Sequence, residues 1–158
     1  MLKPGDKAPD FTLLDQNGEP ITLSKSLKQR KVWRLIYFYP KADTPGCTQQ
    51  ACGLRDARAA GTAGDTVILG ISPDPPAKQE KFDVKYGLGF PLLADEDHKV
   101  AEAYEVWAEK SMYGRKYMGI VRSAFLVDEK GRIAEAWYKV SPKATAENLA
   151  KSVKALAG

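Results

Sequence analysis

Val32-Trp-Arg-Leu-Ile-Tyr-Phe-Tyr39, followed by Pro40-Lys-Ala-Asp-Thr-Pro-Gly-Cys-Thr-Gln-Gln-Ala-Cys52, is the stretch that decides how this chain folds. The first eight residues are nearly all apolar, β-branched or aromatic, the pattern of a strand covered on both faces. Pro40 ends that strand. From Cys47 to about Ala60 the composition favours helix, and Gly61 and Gly64 stop it. Strand, turn and helix together put Cys47 at a helix N-terminus. There a thiol faces unpaired amide donors and the positive end of the helix dipole, which stabilise the thiolate and make Cys47 a candidate nucleophile.

On the N-terminal side, Phe11-Thr-Leu-Leu-Asp and Pro20-Ile-Thr-Leu-Ser read as two short strands joined through Asn17-Gly18, and Ser24 is placed to cap a helical turn. On the C-terminal side the order strand then helix repeats. Thr66 to Ser72 is a second buried strand, and Pro75 to Gly87 is a helix with Pro at its start and Gly at its end. Phe90 to Ala94 is a short strand, and Asp95 to Val106 a helix. Trp107 to Gly119 reads as a loop. Ile120 to Asp128 and Arg132 to Val140 are strands around the turn at Asp128-Glu-Lys-Gly, and Thr145 to Leu156 is a closing amphipathic helix. Two β-α-β steps, an antiparallel hairpin and a last helix predict an α/β fold of thioredoxin-like layout, a mixed central sheet flanked by helices, with an N-terminal β-hairpin.

Residues 1–158 fit one domain, with the 44% hydrophobic and 28% charged content of a globular protein. The net charge of +4 arises from 24 Lys and Arg scattered among 20 acids. The densest group, Lys25, Lys28, Arg30 and Lys31, lacks interleaved aromatics, so no nucleic-acid partner is expected. No stretch approaches the length of an apolar membrane span and the N-terminus has no apolar leader, so no membrane association and a cytoplasmic location are expected. In a reducing compartment two cysteines are poorly explained as a structural disulfide, which leaves catalysis, redox sensing or metal binding. The single histidine, His98, excludes a Cys2His2 zinc site and reads as a surface residue at a helix start. No phosphate-cradling or metal-ligand spacing occurs, so no cofactor is implied.

Pro40-Lys-Ala-Asp-Thr-Pro-Gly-Cys47 matches the Pro-x3-Thr-x2-Cys signature of the peroxiredoxins. Tyr37-Phe-Tyr-Pro before it and Thr48-Gln-Gln-Ala-Cys-Gly-Leu-Arg-Asp after it resemble the peroxiredoxin-Q, or bacterioferritin comigratory protein, group. Gly70-Ile-Ser, Leu92-Leu-Ala-Asp-Glu-Asp-His, Val106-Trp-Ala-Glu-Lys and Gly119-Ile-Val-Arg-Ser-Ala-Phe-Leu-Val-Asp continue the likeness, which spans roughly Gly5 to Leu156.

The resemblance implies a thioredoxin-dependent peroxidase acting on hydrogen peroxide and alkyl hydroperoxides. It makes Cys47 the peroxidatic cysteine, left as a sulfenic acid by the first step. Arg122 lies among apolar neighbours, where an unpaired guanidinium is costly. From the residues alone its partner is either a surface acid or a site anion, and the resemblance identifies Cys47. Thr44 reads as an ordinary cap or turn residue; the resemblance gives its hydroxyl the task of holding a peroxide oxygen, and gives Pro40 the task of shielding the thiolate. Cys52 becomes the resolving cysteine. Read as helix, positions 47 and 52 have Cα atoms ~8.6 Å apart, and a disulfide tolerates at most about 7 Å. The first turn must therefore unwind before the two sulfurs can bond.

A non-enzymatic redox sensor using the same disulfide stays open, whereas a general disulfide oxidoreductase is disfavoured because four residues, not two, separate the thiols. Trp107, Tyr113, Tyr117 and Met118 either form a contact surface or anchor a loop. Because the resolving thiol lies in the same chain, a monomer is expected.

Overall fold

The computed structural model describes residues 1–157. Its strands are β1 (Thr12–Leu14), β2 (Pro20–Thr22), β3 (Arg34–Phe38), β4 (Val67–Ser72), β5 (Leu92–Ala94), β6 (Trp107–Met112), β7 (Arg115–Ile120), β8 (Ser123–Val127) and β9 (Ile133–Trp137). The helices are α1 (Leu23–Gln29), α2 (Pro45–Ala59), α3 (Pro76–Tyr86), α4 (Lys99–Ala103) and α5 (Pro142–Ala157). Seven strands form one mixed sheet in the order β2-β1-β5-β4-β3-β8-β9, with β3, β4 and β5 parallel and the remaining pairs antiparallel. This is the thioredoxin-like arrangement. Among the described residues no helix is long and apolar enough to cross a membrane.

The fully buried β3 alternates between two cores, because successive side chains leave opposite faces of a strand. Ile36 and Phe38 join Leu23 and Leu27 of α1, Ala101 of α4 and Phe125 on one face. Leu35, Tyr37 and the following Tyr39 join Cys47, Ala51 and Leu54 of α2, Phe82 of α3 and Leu149 of α5 on the other. The two crossovers, α2 and α3, thus share a face with α5, and Cys47 is part of that core.

The most deeply buried cation is Arg34, 1% exposed. No carboxylate among the described residues forms an ion pair with it. Its guanidinium donates to the Ser26 and Arg30 carbonyls at the end of α1, to Val32 O and to Ser26 Oγ. Ser26 O and Arg30 O also accept from the amides of Arg30 and Val32, so the guanidinium adds a second donor to each at the negative end of a helix. Burial, with Arg30 nearby, pushes the guanidinium below its ordinary value. Arg34→Met leaves Val32 O without the guanidinium and takes the second donor from Ser26 O and Arg30 O, so a loss of about 2–3 kcal/mol is expected, read as a lower denaturant midpoint at unchanged slope.

Four expectations need correction. Trp107 to Gly119 is an antiparallel ribbon of β6 and β7 closed by Tyr113-Gly114, both at positive φ (51° and 77°), as a two-residue hairpin turn requires. It carries no apolar alternation because Tyr113 is 98% exposed, and Met112, Tyr117 and Met118 are also exposed. The cross-strand pair Trp107 and Ile120 anchors it: Ile120 is buried in the core, and the Trp107 ring stacks 3.8 Å from that of His98, which is half-buried and not a plain surface residue. The helix expected over 95–106 shrinks to α4. Asp95 spends its carboxylate accepting from the amides of Val100 and Ala101, and Glu105, at φ 60°, turns the chain away. The strand expected over 120–128 begins only at Ser123, so Arg122 lies in the link between the ribbon and β8.

Candidate active site

α2 starts two residues before Cys47, with Thr44 as its extended N-cap and Pro45 at the first position. Proline has no amide hydrogen and no side chain caps this end, so the amides of Gly46 and Cys47 keep their dipoles aimed at the helix mouth. Cys47, Gln50, Ala51 and Leu54 form the buried stripe of α2 at i, i+3, i+4 and i+7. Cys47 is 1% exposed. Cys52 falls off the stripe and is half-buried, and both thiols are free. Both stand on one continuous helix, so the separation that forbids a bond in this state is the one expected from helical geometry.

The link that carries Arg122 is held on both sides. Val121 N donates to Val106 O, and Val140 N donates to Arg122 O. From this fixed backbone the half-buried guanidinium reaches back to α2, where Nη1 donates to Cys47 Sγ at 3.5 Å and to Gln50 Oε1 at 2.8 Å. No carboxylate among the described residues forms an ion pair with Arg122. A guanidinium so placed, beside uncapped amides, sets positive charge and hydrogen-bond donors against the sulfur.

Gln50 was not among the candidates read from the sequence. It is fully buried. Since a guanidinium only donates, the side-chain amide must turn its oxygen to Arg122, and its Nε2 then donates to Thr145 Oγ1 of α5 at 2.9 Å. Thr145, also buried, passes its own hydrogen to Ser141 O at 3.0 Å. This chain of fixed polarity ties α5, α2 and Arg122 together. Its trace in the sequence is one polar residue on an otherwise apolar stripe beginning at the cysteine.

The loop from Pro40 to Thr44 is anchored from below. Asp74 accepts from the amide of Ala42 and from Ser72 Oγ, both at 2.7 Å. Ser72 Oγ in turn accepts from Gln79 Nε2 at 2.8 Å, and the Tyr39 hydroxyl donates to Gln79 Oε1. Burial pushes the Tyr37 and Tyr39 phenols well above their usual range, so neither competes as an anion beneath the thiol. The hydroxyl of Thr44 donates to Lys41 O at 2.7 Å, which leaves its lone pairs open to accept a hydrogen bond. Pro40 is half-buried where the chain leaves β3. Cys47 and Arg122 are thus in direct contact, Thr44 holds the N-cap position of the same helix end without a side-chain bond to it, and Cys52 packs, partly buried, against the same core as Cys47.

Gly46 matters for its lack of a side chain. A Cβ there would stand 3.0 Å from Arg122 Nη2 and 3.5 Å from Pro142 Cγ. Gly46→Ala should therefore displace the guanidinium by a few tenths of an ångström. The expected result is a fall of about 3- to 10-fold in kcat/KM with hydroperoxide at an unchanged or slightly raised Tm, since alanine favours helix.

A thiol at an uncapped helix start, in contact with an arginine that no acid neutralises and carried on a thioredoxin-like sheet, defines a thiol peroxidase. The AhpC/TSA family model matches residues 4–136. Peroxiredoxin Bcp of Escherichia coli K12 is 52% identical over 132 residues, covering 84% of this chain and 83% of the relative. Peroxiredoxin Bcp of Bacillus subtilis is 46% identical over 139 residues, covering 88% and 87%. A solved structure of the bacterioferritin comigratory protein of Xanthomonas campestris, concerned with its alkyl peroxide reduction activity, superposes with a TM-score of 0.83 at 34% identity over 94% of this chain and 92% of that one. The chain belongs to the AhpC/TSA family, in its peroxiredoxin Bcp, or peroxiredoxin-Q, group.

Proposed function

We propose that the chain reduces hydrogen peroxide and alkyl hydroperoxides through Cys47, forms an intramolecular Cys47–Cys52 disulfide, and is recycled by thioredoxin or a similar dithiol. The observation that carries this reading is the contact of Arg122 with the sulfur of Cys47 at the open start of α2. The alkyl peroxide activity attached to the Xanthomonas relative supports the substrate class.

In the first step the Cys47 thiolate attacks the terminal oxygen of the hydroperoxide. The O–O bond breaks, the sulfur becomes a sulfenic acid, and the departing alkoxide or hydroxide takes up a proton to leave as alcohol or water. Arg122 and the Gly46 and Cys47 amides stabilise the negative charge as it passes from sulfur to oxygen. Thr44, with its lone pairs open, accepts from the hydroperoxide O–H, and Pro40 keeps water from the sulfur. In the second step α2 unwinds from its first turn, the Cys52 sulfur displaces the sulfenic oxygen as water, and the S–S bond forms. A dithiol then returns two electrons and two protons, and becomes a disulfide itself.

A disulfide sensor would need the two thiols but would have no use for the oriented chain Arg122, Gln50, Thr145, which favours turnover. In this reading residues 1–158 act as one domain, as a cytoplasmic monomer, without metal or cofactor. Reduced protein given one equivalent of cumene hydroperoxide should lose two hydrogens in mass, and should keep consuming peroxide once a thioredoxin system is added. Failure of the wild type to consume peroxide would sink the enzyme reading; consumption without an intramolecular disulfide would sink the role of Cys52.

A further inference from the structure

The segment that must unwind is pinned at both ends by the same residue of α3. Ahead of Cys47, Asp43 turns through a left-handed backbone conformation (φ 58°) and presents both carboxylate oxygens to the end of α3. Oδ1 accepts from the Tyr86 hydroxyl at 2.8 Å, and Oδ2 pairs with Lys85 Nζ at 2.9 Å. Beyond Cys52, Arg55 Nη1 donates to the Tyr86 carbonyl at 2.6 Å. Arg58, one turn further, donates to Gly89 O at 2.6 Å. Tyr86 is itself fixed, half-buried with its ring edge-on to Phe82 at 5.7 Å, and α3 is closed behind it by Gly87 in the left-handed conformation.

Both cysteines lie between these ties. Residues 55–59 of α2 are tied to the α3–β5 connection, and Asp43 is tied to the end of α3, whereas the stretch from Thr44 to Leu54 contains Pro45 and Gly46, which begin the helix without a side-chain cap. Local unfolding proceeds in units bounded by such stable contacts. We propose that Tyr86, with Asp43 and Lys85, is a positioning latch that confines the redox-linked unwinding to residues 44–54 and slows the departure of Cys47 toward Cys52. The inference rests on the resolving role proposed above for Cys52.

The latch sets how the sulfenic acid is divided between two fates. Either Cys52 attacks it, water leaves and the disulfide forms, or a second hydroperoxide oxidises it to sulfinic acid, releasing alcohol. While the latch holds, Cys47 stays longer in contact with Arg122, where peroxide reacts. Once the latch is loosened, Cys47 departs sooner.

The test uses full-length protein with Tyr86→Phe, which keeps the ring against Phe82 and the carbonyl under Arg55, and with Asp43→Asn. After a pulse of cumene hydroperoxide, disulfide formation should be about 3- to 10-fold faster than in wild type, the range set by one or two partly exposed hydrogen bonds to a charged group. The peroxide concentration that converts half of the chains to sulfinic acid should rise by about the same factor, hydrogen exchange should quicken within residues 44–54, and Tm should stay within about a degree or two. Disulfide formation at the wild-type rate in both variants, or slower, overturns the latch alone. A wild type that never forms the Cys47–Cys52 disulfide overturns the resolving role and the latch with it.

Discussion

Cys47→Ser is expected to consume no hydroperoxide above the buffer rate, a loss of at least about 10³-fold, even with Cys52 intact and a thioredoxin system in excess. Cys52→Ser is expected to turn over once and stop, its sulfur held as sulfenic acid. The asymmetry follows from position on a single helix. Cys47 has the open amides of the first turn and the Arg122 guanidinium at 3.5 Å. Cys52, five positions on and off the buried stripe, sits within the helix ladder, and among the described residues the hydrogen bonds of Arg122 go to Cys47 and Gln50 instead. A serine at 47 keeps the geometry but is not ionised at neutral pH, so the site holds a hydroxyl that cannot attack. Rapid-mixing measurements with one and with many equivalents of peroxide separate the cases. A full-sized first turnover in Cys47→Ser would move the nucleophile to Cys52, and sustained cycling by Cys52→Ser would require another route of resolution.

Which parts of this site could be read from sequence depended on whether burial was written in local pattern. The strand carrying Leu35 to Phe38 and the helix after Pro45 were legible because each has a strong period or composition and a proline or glycine at its limits. The ribbon of β6 and β7 was not. A two-stranded arm with solvent on both faces has no apolar side to betray it, and its one signal is the Tyr113-Gly114 turn. The error spread to Arg122, whose apolar neighbours made it look embedded in a strand. The irregular link at Val121-Arg122 is what frees its side chain to cross to α2. Arg34 shows the converse, a deeply buried arginine spent on backbone carbonyls and the Ser26 hydroxyl. Two arginines flanked by apolar residues cannot be told apart without knowing what stands opposite. Gln50 and Thr145, 95 residues apart, meet only because α5 packs on α2.

Arg122→Gln is expected to lower kcat/KM for hydroperoxide by about 10²- to 10³-fold, the usual consequence of removing a preorganised donor from a site where charge moves during reaction. Arg122→Lys should recover no more than about tenfold of that loss. An ammonium restores the charge but not the planar fork. In the wild type one nitrogen, Nη1, bridges the sulfur of Cys47 and the oxygen of Gln50, while Nη2 sits against the backbone of Gly46. A lysine, a point charge on a flexible stem, would satisfy Gln50 or face the sulfur, without being held in register with both. Gln50→Ala tests the same idea from the other side. It keeps every reacting group in the chain but frees the guanidinium to wander, and should cost about tenfold in kcat/KM. Because Gln50 acts only through Arg122, adding Gln50→Ala to Arg122→Gln should cost little more than Arg122→Gln alone. Losses that multiply would mean that Gln50 serves the reaction by a separate route, and an Arg122→Gln protein within about tenfold of wild type would remove the arginine from the reacting charge.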